Sequence, residues 1–451
     1  VRHKHLEEDV FVGTTLVSMY GKCGEIKEAE NVFVGLRLRN LISWNAMLSA
    51  YVDQGLGDRA LLLYRQMHEE RIVPNCQTIL ITLQACGVLA EKDEYYTEKE
   101  NKVIALAISQ ALHSYARRKK FVMDDFVSNT LVSLYGKCGT VKNSEEVFQN
   151  VPKCSVISWT ALISSYVEGG QGKKALQAFL EMHVEGMDPN QQTFVSALQA
   201  CCILEETNEG IIFEEKYIFS EIGLSLHTDA QKKFYVLDAF VMTTLVGMYG
   251  NHLAFAESEN VFSRLPQHTI LQWNAMLSTY VEQGEGMKAL LCYRQLIQEG
   301  LCPNQGTFVV VVQACTTILE NDEICATTEA QLTKEKVHEI GRALHADLSK
   351  AGFASDLFVG TTLVSMYGKC GTFVEAESVF YGLSEYNTVS WNAMLSAYAD
   401  QGQGEKALRL YQQFEKKHVV MNDVTTICVL QACSEIGCLE MCQHLHFLIT
   451  Y

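Results

Sequence analysis

The chain has 451 residues, 48% of them hydrophobic and 20% charged, with a mean hydropathy of +0.03 and a net charge of −17 from 36 Lys and Arg against 53 Asp and Glu. That apolar content excludes a disordered tail or linker, and the acidic balance speaks against a surface that tracks phosphates through an excess of basic side chains. Five prolines in so long a chain point to helix, no run reaches the ~18 apolar residues of a membrane span, and sixteen cysteines without a C-x-x-C pair read as reduced, buried small residues of an intracellular protein.

The N-terminus, Val1-Arg2-His3-Lys4-His5, has neither an initiating Met nor a targeting segment, as expected of a piece of something longer. Residues 11–33 then predict two amphipathic helices, with Ile26, Ala29, Val32 and Phe33 on one face of the second and a break across Gly21 to Gly24. Residues 43–67 repeat this, with Gly55 and Gly57 at the break and Ala60, Leu63, Tyr64 and Met67 as the stripe. A third pair opens at 78–86 and closes at 111–116.

The same three pairs recur down the chain. Trp44, Trp159, Trp273 and Trp391 lie 115, 114 and 118 residues apart, and Tyr20, Tyr135, Tyr249 and Tyr367 keep the same spacings. Pro74, Pro189 and Pro303 also recur, with Met421 in the fourth slot. Helix pairs of this kind cannot bury their stripes alone, so the fold class is all-α, a superhelical α-solenoid of stacked helix-turn-helix repeats. In the third pair the distance from Ala85 to His113 is 28, from Ala200 to His227 27, from Ala314 to His345 31, and from Ala432 to His446 only 14. The first three copies therefore carry insertions of 14, 13 and 17 residues, and removing them leaves 101 residues in every period. Such extra residues bulge from one turn as loops or helix extensions. They are acidic: segments 91–102, 205–221 and 320–339 hold seventeen Asp and Glu against six Lys and Arg.

The motifs LVSMYGKCG at 16–24 and 363–371, LVSLYGKCG at 131–139, SWNAMLSAY at 43–51 and 390–398, and the Pro-Asn that closes the second piece together resemble the PLS-type pentatricopeptide repeat proteins of plants. The resemblance covers essentially the whole chain. It implies S repeats at 10–40, 125–155, 239–269 and 357–387, and P repeats at 41–75, 156–190, 270–304 and 388–422, with L repeats between them. Residues 1–9 end a preceding repeat, and the triplets are 10–124, 125–238, 239–356 and a truncated 357–451.

The family implies single-stranded RNA binding, one base per repeat, along the first helix of each pair. Two side chains per S or P repeat read the base, the fifth and the last. These are Thr14/Asn40, Asn45/Asn75, Asn129/Ser155, Thr160/Asn190, Thr243/Thr269, Asn274/Asn304, Thr361/Asn387 and Asn392/Asn422. The second position, Phe11, Ile42, Phe126, Ile157, Phe240, Leu271, Phe358 and Val389, is apolar throughout and in the family packs on base faces. Asp only accepts hydrogen bonds and suits the ring N–H of U or G, whereas Asn and hydroxyl residues also donate and meet the bare ring nitrogen of C or A. None of the eight repeats ends in Asp. With Asn at the fifth position related to pyrimidines and Thr to purines, the expected string is A, C, gap, C, A, gap, unassigned, C, gap, A, C, gap. That is an A/C-rich single strand of about a dozen nucleotides. The L repeats carry Leu80, Val195, Val309 and Ile427 at the fifth position, so they space rather than read, although Asp124, Asp238 and Asp356 end the complete copies. The third S repeat departs from YGKCG, running Tyr249-Gly250-Asn251-His252-Leu253, so its turn is expected to differ.

Blander readings compete. Asn, Thr and Ser at a fixed helical offset also serve as caps, the tryptophans fit core packing better than base stacking, and Cys86, Cys201, Cys315 and Cys433 share one close-packed repeat position. Cys433, Cys438, Cys442, His444 and His446 crowd together without a zinc-ligand spacing, so no metal and no cofactor is expected. Zinc deaminases need H-x-E followed by P-C-x-x-C. His68-Glu69-Glu70 and His183-Val184-Glu185 match the first only, the second is absent, and no enzyme is expected in this chain. A deaminase extension would lie beyond Tyr451, or an editing factor would supply it in trans. The family further implies C-to-U editing or processing of transcripts in a mitochondrion or chloroplast. The acidic charge favours a second class, a helical-repeat scaffold that binds protein.

Overall fold

The computed structural model describes residues 9–91, 98–151, 153–206, 213–251, 255–264, 268–322, 328–417, 421–437 and 442. Among them there are twenty-three α-helices and no strand, and none of the helices is long and apolar enough to cross a membrane. The chain divides into two compact units, Val1–Val236 and Leu237–Tyr451.

In the first unit, α1 (Val10–Lys22), α3 (Leu41–Asp53), α5 (Cys76–Ala90), α7 (Asp125–Lys137), α9 (Val156–Glu168) and α11 (Gln191–Glu206) pack side by side in chain order. The second helices of the pairs, α2 (Ile26–Gly35), α4 (Gly57–Glu69), α6 (Glu98–Lys119), α8 (Val141–Gln149), α10 (Gly172–Val184) and α12 (Phe213–Lys232), form the other layer. The second unit repeats this. Its first layer is α13 (Ala239–Asn251), α15 (Ile270–Glu282), α17 (Gln305–Asp322), α19 (Leu357–Cys370), α21 (Thr388–Asp400) and α23 (Asp423–Ile436). Its second is α14 (Phe255–Ser263), α16 (Gly286–Gln298), α18 (Thr328–Ala351), α20 (Phe373–Tyr381) and α22 (Gly404–Lys416). Each unit is thus a two-layered α-solenoid.

The tryptophans are core residues. Trp44, Trp159, Trp273 and Trp391 are buried, each edge-on to a phenylalanine of the preceding hairpin: Phe33, Phe148, Phe262 and Phe380, at ring separations of 5.1, 4.8, 4.8 and 5.1 Å. Offset and edge contacts of this kind add to simple area burial. Cys86, Cys201, Cys315 and Cys433 are buried with them, and burial pushes the Cys86 and Cys315 thiols up to about 12.

Two of the glycines expected to break helices do something else. The turn after α1 is made by Gly24, at φ +81°, while Gly21 lies inside the helix, where a Cβ would sit 2.5 Å from Ala50 Cβ. Likewise Gly57 begins α4 with its Cα against the Ala85 carbonyl, which a Cβ would meet at 2.6 Å. Gly21 and Gly57 therefore set how closely neighbouring hairpins approach. The insertions prolong the second helix of every third hairpin: α6, α12 and α18 run 22, 20 and 24 residues against 13 for α4, α10 and α16. Helix extension was one of the two forms expected of them. Residues 252–254, where Leu253 replaces a glycine, lie outside the described residues, as do Cys438, His444 and His446.

A recurrent polar contact ties successive hairpins together. Tyr51 donates to Glu30 at 2.8 Å, Tyr166 to Glu145 at 3.0 Å, Tyr280 to Glu259 at 2.8 Å and Tyr398 to Glu377 at 2.6 Å. A cation joins the contact through Arg59 on Glu30, Lys174 on Glu145 and Lys406 on Glu377. The histidine of α6 and of α18 meets a tyrosine of the next first-layer helix: His113 lies 2.9 Å from the Tyr135 hydroxyl and His345 3.2 Å from that of Tyr367.

Candidate nucleic-acid interface

In each unit the first-layer helices carry the predicted pairs, of which Asn129, Thr160, Asn387 and Asn392 are buried and the other members partly or fully exposed. Asn40, Asn75, Ser155, Asn190, Thr269, Asn304, Asn387 and Asn422 each stand immediately before a first-layer helix, at α3, α5, α9, α11, α15, α17, α21 and α23 respectively. A helix start leaves its first backbone N–H groups unpaired. The side-chain oxygen of Asn75 accepts from the Thr78 N–H at 2.9 Å, and Asn40, Asn190, Asn304, Asn387 and Asn422 make the equivalent bond at 2.8–3.0 Å. Ser155 does so at 3.3 Å, and the Thr269 N–H donates back to Gln272 Oε1 at 2.8 Å. Every last-position residue is therefore an N-cap. Capping occupies the amide oxygen of each asparagine and leaves its Nδ2, a donor, as the unspent polar group.

The fifth-position residues divide into two sets. Ahead of α5, α11, α17 and α23 the pair is closed by hydrogen bonds. Asn45 Nδ2 donates to Asn75 Oδ1 at 3.4 Å, Asn274 to Asn304 at 3.1 Å and Asn392 to Asn422 at 2.9 Å. Thr160 reaches Asn190 through Thr193, whose hydroxyl lies 2.7 Å from Thr160 Oγ1 and 2.9 Å from Asn190 Oδ1. Thr78, Thr307 and Thr425 hold the corresponding place, 2.8, 2.7 and 2.7 Å from the Oδ1 of Asn45, Asn274 and Asn392. These four buried threonines were missed in the sequence. Their signal is the recurring Asn-x-x-Thr capping box, with the threonine fixing the orientation of both amides.

The other four pairs are not joined. Thr243 and Thr361 turn their hydroxyls back onto the Ala239 and Leu357 carbonyls at 2.7 and 2.6 Å, while Thr14 Oγ1 and Asn129 Oδ1 are buried with no hydrogen-bond partner. Among the described residues no hydrogen bond links Thr14 to Asn40, Asn129 to Ser155, Thr243 to Thr269 or Thr361 to Asn387. Asp124, Asp238 and Asp356 are N-caps too, each accepting from two backbone N–H groups at 3.0–3.1 Å, and Asp356 also receives Gln305 at 2.9 Å.

Beside each pair stands the apolar second-position residue. Phe11, Ile42, Phe126 and Ile157 in the first unit, and Phe240, Leu271, Phe358 and Val389 in the second, are all exposed, from 43% at Val389 to 78% at Phe11. Single exposed apolar side chains are ordinary. In each unit they recur at one register, each at the second position of its helix.

The first unit contains a cavity of about 890 Å³, lined by Phe126, Asn129, Ile157, Thr160, Asn190 and Lys137 among others. Its charged lining is Asp53, Glu91 and Glu168 against the single Lys137, so the cavity wall is net negative. The same alternation runs through both units: Lys22, Lys137 and Lys369 stand at or next to the ends of α1, α7 and α19, whereas Asp53, Glu168, Glu282 and Asp400 end α3, α9, α15 and α21. Desolvation holds the Glu168 carboxyl up at about 7, with Lys137 opposing and Glu91 reinforcing the shift.

A two-layered stack of helical hairpins with a polar pair and an exposed apolar residue at a fixed register on each first helix is the architecture of a helical-repeat binding protein. The chain belongs to the PPR repeat family. One family model, the PPR repeat family, matches residues 39–87, 154–203 and 386–435, and a second, the PPR repeat, matches 14–41, 273–301 and 361–387. Among curated proteins it is similar to the Arabidopsis thaliana pentatricopeptide repeat-containing proteins At1g11290, chloroplastic (28% identical, 96% of this chain and 48% of that protein), and At2g03380, mitochondrial (29%, 95% and 56%). The chain spans about half the length of the curated relatives it matches. Among solved structures it is similar to the pentatricopeptide repeat protein PPR10 in complex with an 18-nt psaJ RNA element (16% identical, TM-score 0.46, 98% of this chain and 74% of that one).

Proposed function

We propose that this chain binds single-stranded RNA with sequence preference, as a PLS-type array whose S, P and L repeats have the boundaries set out above. The observation that carries this reading is the set of hydrogen-bonded pairs Asn45/Asn75, Thr160/Asn190, Asn274/Asn304 and Asn392/Asn422 beside exposed Ile42, Ile157, Leu271 and Val389. Each combines an oriented edge-reader with an apolar stacking surface, the two elements by which unpaired bases are recognised. Because capping spends the asparagine oxygens, the edge they offer is a donor, which supports an A/C-rich target of about a dozen nucleotides. The reading residues are Thr14, Asn40, Asn45, Asn75, Asn129, Ser155, Thr160, Asn190, Thr243, Thr269, Asn274, Asn304, Thr361, Asn387, Asn392 and Asn422. The names of the Arabidopsis relatives support a chloroplast or mitochondrion as the place of work; in this reading the array recognises a transcript site for editing or processing and a separate factor supplies the deaminase.

A protein scaffold is the second reading, and the net-negative cavity wall of the first unit favours it. A titration separates the two. The whole chain is mixed with a labelled twelve-base RNA of the A/C-rich string and with one in which A and C are exchanged for G and U, each at two salt concentrations. Preference for the first RNA supports base reading. Failure to bind either one removes the RNA reading and leaves the scaffold.

A further inference from the structure

The lysines at the ends of α7 and α19 are already engaged. Lys137 Nζ lies 2.5 Å from Glu91 Oε1, and Lys369 makes the same contact with Glu320. The two ion pairs occupy corresponding places in the repeat. In both, the carboxylate is the sixteenth residue after an Asn cap, Glu91 just past the end of α5 and Glu320 in the last turn of α17, and the lysine is the last residue of α7 or the last but one of α19. Exposure matches as well: the lysines are 28% and 29% exposed, the glutamates 58% and 56%. Glu206 occupies the same register in the remaining long copy, where the lysine position is taken by Asn251.

Three features set the Lys137–Glu91 pair apart from ordinary surface salt bridges. Lys137 and Glu91 both line the cavity that also holds Asn129, Thr160 and Asn190, so the pair lies within the candidate reading face. A second carboxylate, Glu168, shares that wall. Moreover Glu168, like Asp53, Glu282 and Asp400, ends a helix, where the macrodipole disfavours negative charge by roughly 0.3–1 kcal/mol. Carboxylates are thus placed against the local field, beside the one cation that the described residues contribute to the cavity lining. A carboxylate bound to an ammonium at this distance makes the same charge-assisted contact that a lysine makes with a phosphate oxygen.

From this, and resting on the RNA-binding reading above, we infer that Glu91 and Glu320 act as internal substitutes for RNA phosphate, occupying Lys137 and Lys369 in the free protein and being displaced when a strand binds. Their presence lowers affinity for every sequence equally, since they compete for the backbone and not for a base. An array so restrained holds only strands whose bases add enough contact to displace the carboxylates.

The test uses the full chain, its Glu91→Gln/Glu320→Gln variant, its Lys137→Gln/Lys369→Gln variant and the combination, with the A/C-rich twelve-base RNA as probe and salt as the variable. Gln keeps the shape and releases the lysine. The expected result is a gain on the order of fivefold in affinity at low salt, from two freed ion pairs each of modest strength. The salt dependence of log K becomes steeper by about 1.4, from two further phosphate contacts on a single strand. Both effects disappear in the lysine background. An equal gain in that background would mean that only net charge had changed, and would overturn the inference, as would unchanged affinity and slope in a wild-type chain that binds RNA. Binding that appears only in the glutamate variant supports it strongly. If neither protein binds RNA at any salt, the RNA reading itself fails, an outcome distinct from the others. Thermal unfolding of all four proteins checks that each is folded.

Discussion

Changing Asn75 to Asp separates the cap that the structure shows from the base-reading role proposed for the same side chain. The cap survives, because Asp Oδ1 accepts from the Thr78 N–H as the Asn oxygen does at 2.9 Å, and a carboxylate at the start of α5 gains roughly 0.3–1 kcal/mol from the helix dipole. What is lost is the Nδ2 donor. Under the proposed function the base opposite Asn45/Asn75 is C, whose ring nitrogen needs a donor. Against Asp it faces a second acceptor, an unpaired contact costing ~1–3 kcal/mol, while U, with its ring N–H, is accommodated. A swing of about 2 kcal/mol is close to a thirtyfold change in the C-to-U preference at that one position. The assay is a fluorescence titration of Asn75→Asp against two twelve-base RNAs differing only there, paired with thermal unfolding. Asn75→Ala serves as the control, losing the cap and ~1 kcal/mol of stability. An unchanged C-to-U ratio in an equally stable Asn75→Asp protein that binds RNA would refute the reasoning and leave Asn75 a cap alone.

Gly368→Ala places a Cβ 2.4 Å from Ala397 Cβ and is expected to cost about 1–3 kcal/mol by overpacking; a lowered unfolding midpoint, recovered in part by Ala397→Gly, checks it. Removing the Glu377 carboxylate in Glu377→Ala strands the buried Tyr398 hydroxyl and the Lys406 ammonium. A loss of ~1–3 kcal/mol is expected, measured by denaturant unfolding, with no change in RNA preference. For Glu168, held up at about 7, the folded chain binds the extra proton between the ordinary glutamate range and pH 7. This group's contribution to stability is therefore greatest at low pH and is lost as pH rises through that window. Unfolding midpoints of wild type relative to Glu168→Gln should accordingly fall from pH 5 to pH 8, and a flat difference would count against the desolvated carboxyl facing Lys137 and Glu91.

The hairpin order was legible because the apolar stripes and the spaced Trp and Tyr repeat with the packing that requires them. Cap residues were legible only as a possibility: Asn40 and Asn75 have the composition of a cap and of a base reader alike, and only the bond to Ser43 or Thr78 fixes the first role. The Tyr–Glu contacts were hidden although their spacing of 21 residues is constant, because no residue type in them is rare enough to draw the eye. Glu91 and Lys137 were harder still. Their separation of 46 residues, against 49 for Glu320 and Lys369, spans an insertion of variable length, so the partnership is set by the stacking of hairpins and leaves no fixed interval in the chain. The glycines misled in the opposite direction: Gly21 and Gly57 sit beside genuine turn glycines, Gly24 and Gly55, and only the packing distance tells close approach from positive φ.

Joining the cap to the reader also explains why the last-position residues are drawn from so short a list. An N-cap is served well by Asn, Asp, Ser and Thr and poorly by nearly everything else. Those four are also the short side chains able to present a donor, an acceptor or both at the start of a helix. Exchange among them therefore costs a few tenths of a kcal/mol in folding while changing which base edge is matched. Any other residue is penalised first by the helix. Under the proposed function specificity is then free to drift without loss of fold. The fifth position lacks this protection, and in two copies Thr14 Oγ1 and Asn129 Oδ1 are buried without a hydrogen-bond partner; under the proposed function a bound base supplies one.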